Sequence, residues 1–502
     1  MLAADFARAA GLYRAGLVAH PGDAELTTGF VHALLRQQKV PEAAEAVKAS
    51  LAAAPSSSAL LTLRGEVELR QGRPWSAGET ALEAEKLDPC NSRAHILLAR
   101  LERINSRYAA SRKEIMEAYQ LDPADAEIRA AWIGTLPASQ KIAELEAYLS
   151  VSTGSSEEAK RRLRMTLENL KKQQAAPRKA CHLVSPAASA EIPFVKLMWD
   201  AERVRGFGLE VKLNGAASRL QIDTGAGGLT VSRAVADHAG LKPFFQTEAG
   251  GVGDQGARPG AFAVADSIEI GKLKFQDCQV KVLDSRSLPP EVDGLIGMDV
   301  FSQFLVTLDY PVRKLLLGPL PPRPGESNEA ALGLTTNNAE QEDSAQDAAS
   351  KPGAQGPDDR WIAPEMRDYT PVYRAGHALL LPATLNGKTR KLFLLDTGAW
   401  TTIISPEAAR EVTTIRPDDR HHPTGLNGAV GKAYSADEVT FRFANVSQKL
   451  KDVLSIDTSR ISQRSGMEIA GFLGANMLEQ FTLHIDYRDG LVKFASASKS
   501  GH

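Results

Sequence analysis

Two stretches, LEVKLNGAASRLQIDTGA at 209–226 and LLPATLNGKTRKLFLLDTGA at 380–399, follow one plan. Each begins as an apolar strand-like run, turns at Asn-Gly (214–215 and 386–387), and returns into Asp-Thr-Gly-Ala at 223–226 and 396–399. Asn and Gly both tolerate positive φ, so Asn-Gly between two apolar runs predicts a β-hairpin. The Asn-to-Asp interval is 9 residues in one copy (223−214) and 10 in the other (396−386).

The parallel continues downstream. Glycine-rich stretches follow at 250–260 (GGVGDQGARPG) and 424–431 (TGLNGAVG), then Leu295-Ile296-Gly297 and Phe472-Leu473-Gly474. From those glycines MDVFSQFLVTLDY and ANMLEQFTLHIDY align without gaps, 12 residues from Gly to Asp in each. Strand-like alternation such as FGLEVKL, AFAVADSIEI and LKFQDCQVKVL fills 192–318 and resumes over 361–495, which predicts two similar all-β lobes. Between them, 319–360 is rich in Pro, Gly, Ser, Asn and acidic residues, and is expected to be a disordered linker.

The first third has a different period. Pro21, Pro55, Pro89 and Pro123 are spaced by 34, each after an amphipathic stretch, with Ala9, Ala43, Ala77 and Ser111 twelve residues before them. Proline cannot continue a helix, and small residues suit helix crossings. This pattern resembles the tetratricopeptide repeat and predicts an all-α helical array over 1–175, with capping helices at 138–150 and 156–172. By this register the first repeat begins about ten residues before Met1. The natural chain is therefore expected to extend upstream, and a signal or anchor there would favour an extracytoplasmic location.

The duplicated β pattern resembles the aspartic protease family, closest to its retropepsin-like branch, over roughly 192–318 and 361–495. The resemblance implies that Asp223 and Asp396 are catalytic carboxylates. It implies that Thr224 and Thr397 hold the two loops together across the lobe junction. Gly225 and Gly398 would let backbone N–H groups approach the carboxylates, and the hairpins holding Gly251, Gly253, Gly425 and Gly428 would be flaps over a peptide or protein substrate. Two neighbouring carboxylates share one proton because both cannot ionise together, so one serves as base and the other as acid. The lobes are expected to pair within one chain, as a monomer, in preference to a homodimer. The repeats are expected to recruit a protein substrate or partner. A non-catalytic peptide-binding scaffold is the competing expectation, motivated by Gly227-Gly228 in one lobe against Trp400-Thr401 in the other.

Other classes lack support. The net charge of −2 and the absence of basic runs argue against a nucleic-acid partner. There is no H-E-x-x-H, Gly-x-Ser-x-Gly or GxxxxGK motif, so no metal or cofactor is expected. No apolar run reaches the ~18 residues of a membrane span. Cys90, Cys181 and Cys278 lie too far apart to suggest a disulfide framework, and Cys278 reads as a buried apolar residue. His421-His422 read as a solvated pair, and Asp309-Tyr310 and Asp486-Tyr487 as fold determinants.

Overall fold

The computed structural model describes residues 5–151, 157–175, 181–185, 188–198, 204–283, 292–324, 326, 359–419 and 423–496. The chain divides into two compact units: Met1–Arg178 with Asp343–Asp359 and Gln463–Glu468, and the remainder.

The first unit is the expected helical array: α1 (Phe6–Ala19), α2 (Ala24–Arg36), α3 (Val40–Ala53), α4 (Ser58–Arg70), α5 (Pro74–Leu87), α6 (Ser92–Ile104), α7 (Tyr108–Leu121), α8 (Ala126–Thr135), α9 (Ala138–Val151) and α10 (Glu157–Ala175). The prolines fall just after α1, α3, α5 and α7. Two residues beyond each stands an N-cap, Asp23, Ser57, Asn91 or Asp125, whose side chain accepts a backbone N–H from the next helix. Each turn thus stops one helix and starts another within four residues. Ala43, Ala77 and Ser111 are buried at the crossings, while Ala9 is half-buried.

The second unit holds the two β lobes, and their sheets share one strand order. In the first lobe neighbouring strands run Leu273–Leu283, Leu229–Ser232, Gly294–Ile296, Ala216–Ile222, Val204–Leu213, Arg258–Ile270 and Lys242–Ala249. In the second the matching order is Val446–Ile456, Ile403–Ile404, Gly471–Leu473, Thr389–Leu395, Ala378–Leu385, Ala433–Phe443 and Ile415–Pro417. The two Asn-Gly turns have positive φ at all four residues, as the sequence predicts: 48° and 88° at Asn214-Gly215, 47° and 68° at Asn386-Gly387.

A six-stranded sheet joins the lobes. Phe304–Asp309 of the first lobe pairs antiparallel with Phe481–Asp486 of the second, Val306 opposite Ile485 and Leu308 opposite Leu483. These side chains lie in one apolar core that is continuous through both lobes. In this structure the two lobes are thus joined through a shared sheet and a shared core.

One expectation is overturned. Cys181 and Cys278 form a disulfide, with Cα atoms 4.2 Å apart, that fastens the strand His182–Leu183 to Leu273–Leu283. Their separation of 97 positions in sequence concealed the pairing. Most of the expected linker and His421-His422 lie outside the described residues.

Candidate active site

The two Asp-Thr-Gly-Ala loops sit where two strands of each lobe run parallel. Ala216–Ile222 lies beside Gly294–Ile296, and Asp223 N donates to Ile296 O at 3.0 Å. Thr389–Leu395 lies beside Gly471–Leu473, and Asp396 N donates to Leu473 O at 3.1 Å. The repeated apolar-apolar-Gly segment is thus the strand that aims each aspartate. Within each loop the carboxylate Oδ1 accepts two backbone N–H groups: Gly225 and Ala226 at 2.8 and 3.0 Å for Asp223, Gly398 and Ala399 at 3.0 and 3.0 Å for Asp396.

The threonines cross the lobe junction reciprocally. Thr224 N donates to Thr397 Oγ1 and Thr397 N to Thr224 Oγ1, each at 3.0 Å. Thr224 Oγ1 donates to Leu395 O at 2.7 Å, and Thr397 Oγ1 to Ile222 O at 3.3 Å. Both side chains are buried. This grip brings the two carboxyl groups together: a Cβ on Gly225 would lie 3.0 Å from Asp396 Oδ1 and 3.2 Å from Asp223 Oδ1. Burial, then the charge of Asp396, holds the Asp223 carboxyl well above the usual range, and burial raises Asp396 too.

The aspartyl protease family model matches residues 209–300 and 381–477, one segment in each lobe. Each β lobe thus carries a match to an aspartyl protease family domain. A tetratricopeptide-repeat model matches the helical array at 3–58, 28–89 and 62–126. A solved structure titled as a thermophilic TPR protein in Thermus thermophilus is 18% identical, covering 33% of this chain and 91% of that chain, with a TM-score of 0.28. No curated protein matches the chain.

The glycines of the two Asp-Thr-Gly-Ala loops also make room for the opposing aspartate. A Cβ on Gly225 would stand 2.9 Å from the Asp396 carboxyl carbon, and one on Gly398 would collide with the Asp223 carboxyl. These glycines admit the opposing aspartate as well as their own N–H bonds. In the hairpins, the four glycines all lie where the tips of the two lobes meet. A Cβ on Gly251 would press on Leu426, on Gly253 on Asn427, on Gly425 on Val252 and on Gly428 on Gln255. Asn427 N donates to Val252 O at 2.8 Å, Gln255 N to Asn427 O at 3.0 Å, and Gly431 N to the Asp254 carboxylate at 2.6 Å.

Four residues around the dyad were not singled out from sequence for this role. Tyr310 hydrogen-bonds Thr397, and its hydroxyl is raised by burial, so half of the Asp-Tyr repeat supports the grip. Gln221 Nε2 donates to Gly398 O at 3.0 Å, and His377 Nε2 stands 3.1 Å from Gly225 O. Asp299 accepts Gly228 N at 2.9 and 3.1 Å. The signal was present at Gly227, unlike Trp400 in the other lobe: a Cβ there would lie 2.6 Å from His377 Nδ1. Among the described residues, one group with metal-ligand proximity, Glu85, His95 and Glu114, lies in the helical unit. Both ring nitrogens of His95 already bond there, to Glu114 and to Pro89 O. No described helix is long and apolar enough to cross a membrane.

Proposed function

We propose that this chain is an aspartic endopeptidase that hydrolyses peptide bonds with a water activated by Asp223 and Asp396. What supports the reading is the pair of half-buried carboxyl groups, one from each lobe, brought together across the threonine grip. Water placed between them gives a proton to the ionised aspartate and attacks the scissile carbonyl, while the neutral aspartic acid protonates the carbonyl oxygen. The tetrahedral diol then collapses: one of its hydroxyls returns a proton to the dyad as the C=O bond re-forms, while the amide nitrogen takes a proton from the dyad as the C–N bond breaks. One water is consumed, and the dyad ends with the single proton it began with.

The hairpins, whose tips bond each other, would open for an extended peptide and close over it. The tetratricopeptide repeats suggest protein–protein interaction, and on this reading they recruit a protein substrate or partner. The Cys181–Cys278 disulfide fits an oxidising compartment.

Because both carboxyls are raised above 3.8, the one-proton state begins above that pH and extends upward to the raised second ionisation. Cleavage of a peptide library should therefore trace a bell whose acid limb lies above pH 3.8. D223N and D396N should each cut the rate by about 10³-fold or more, since each removes one of the two proton-transfer groups. The direct hydrogen bonds between hairpin tips favour a second reading, a closed, non-catalytic binding module. If wild type and both variants show the same residual cleavage, that reading replaces the first.

A further inference from the structure

A chain of hydrogen bonds reaches each aspartate from the opposite lobe through one peptide group. Gln221 Nε2 of the first lobe donates to Gly398 O at 3.0 Å, and the N–H of that same peptide, on Ala399, donates to Asp396 Oδ1 at 3.0 Å. His377 of the second lobe does the same in reverse: its Nε2 lies 3.1 Å from Gly225 O, and Ala226 N donates to Asp223 Oδ1 at 3.0 Å. A carbonyl only accepts, so Nε2 of His377 carries the hydrogen. Donation to a peptide oxygen polarises its N–H and strengthens the bond that N–H makes.

The two relays are geometrically alike and chemically different. An amide never titrates, whereas an imidazole changes charge between about pH 5 and 8. The second support of each loop repeats the contrast. Asn476 Oδ1 accepts Thr402 N and Oγ1 at 2.8 and 2.9 Å, while at the matching place in the first lobe the carboxylate of Asp299 accepts Gly228 N. Gly227 has no side chain where the His377 ring lies.

We propose that His377 is a positioning residue for Asp223: its protonation strengthens the relay into that carboxylate alone and makes the duplicated dyad electrically unequal. This rests on the dyad being the catalytic centre. The charged and titratable groups sharing the neighbourhood are Asp299, Arg374, Tyr487, Tyr310 and the two dyad aspartates. Burial raises the Asp299 carboxyl, and the charges of His377 and Arg374 oppose that rise. Arg374 Nη1 is engaged at 2.8 Å with Tyr487 O.

Two variants separate geometry from charge in the full-length protein. H377Q keeps an N–H donor, as Gln221 does, and removes the ionisation; H377L removes both. H377Q should keep kcat at the alkaline end of the profile and move the acid limb upward by roughly 0.5–1 pH unit, because a nearby cation favouring the carboxylate is gone. H377L should lose about tenfold or more in kcat at every pH with little change in KM. A second readout does not need turnover: ¹³C-carboxyl NMR titration, with the dyad signals assigned from D223N and D396N. There H377Q should raise the midpoint of the Asp223 signal and leave Asp396 nearly in place. An Asp223 midpoint unmoved in H377Q overturns the proposal whether or not the protein cleaves peptides. A moved midpoint in a protein that cleaves nothing upholds the relay and rejects only the endopeptidase reading.

Discussion

Thr397 Oγ1 serves three partners at the lobe junction: it accepts Thr224 N, donates to Ile222 O and hydrogen-bonds Tyr310. All of these groups are buried, so deleting the hydroxyl strands them without water. T397V, nearly the same shape, should cost about 2–4 kcal/mol of lobe stability, while T397S should stay within about 1 kcal/mol. Urea midpoints of the two variants measure this, and equal midpoints would remove the grip from the account. The threonines were legible in sequence because each stands next to its aspartate. Gln221 and His377 were not. Each acts on the opposite lobe's loop, 177 and 152 residues away, and nothing in local patterning links such pairs. Gly227 was the nearest clue, since a glycine replaced by Trp400 in the other lobe marks a place where a neighbour needs room.

Among the elements, the helical array repeats more than its prolines. The N-caps Asp23, Ser57, Asn91 and Asp125 keep the same 34-residue period, as do pairs such as His32 with Glu66 and Arg93 with Glu127. Glu66 in α4 is buried, and burial alone would raise its carboxyl. The hydrogen bond to His32 and the charge of Arg93 outweigh that and bring it from 4.5 to about 2. An acid depressed in the folded state adds stability that is present above pH 4.5 and is lost as pH falls through about 2. At about 1.4 kcal/mol per unit the difference is about 3 kcal/mol. The wild-type advantage over E66Q, read from denaturant melts of the helical signal, should therefore be near that size at pH 7 and vanish toward pH 2. A difference independent of pH would mean that Glu66 acts by packing alone. The β elements were legible in their alternation and Asn-Gly turns. The disulfide was not, because Cys181 lies in an Ala/Pro/Ser-rich stretch with no periodicity of its own.

For the whole molecule, duplication raises the question of what keeps two halves together when 42 residues (319–360) separate them in sequence. Both described ends of that segment arrive at one buried carboxylate, Asp489, in the turn after Phe481–Asp486. Arg323 donates to Asp489 Oδ1 at 2.5 Å and Trp361 N to the same oxygen at 2.8 Å, while Arg360 Nε donates to Asp489 O at 2.7 Å. Arg488 Nε occupies Oδ2 at 2.9 Å. A fully buried carboxylate holding this many donors is costly to open, since each lost partner leaves a buried charge exposed to desolvation without compensation. The excursion between Arg323 and Arg360 is thus closed at its base, and the joint between the lobes rests on the shared sheet, the common core and the threonine grip. Cutting the chain within 327–342, at an inserted site for a specific protease, should leave the two β lobes eluting as one particle in native buffer. The fragments should part only in denaturant, and D489N should lower the concentration needed. Separation on cutting alone would mean that covalent continuity, not the Asp489 clasp and the shared sheet, brings Asp223 to Asp396.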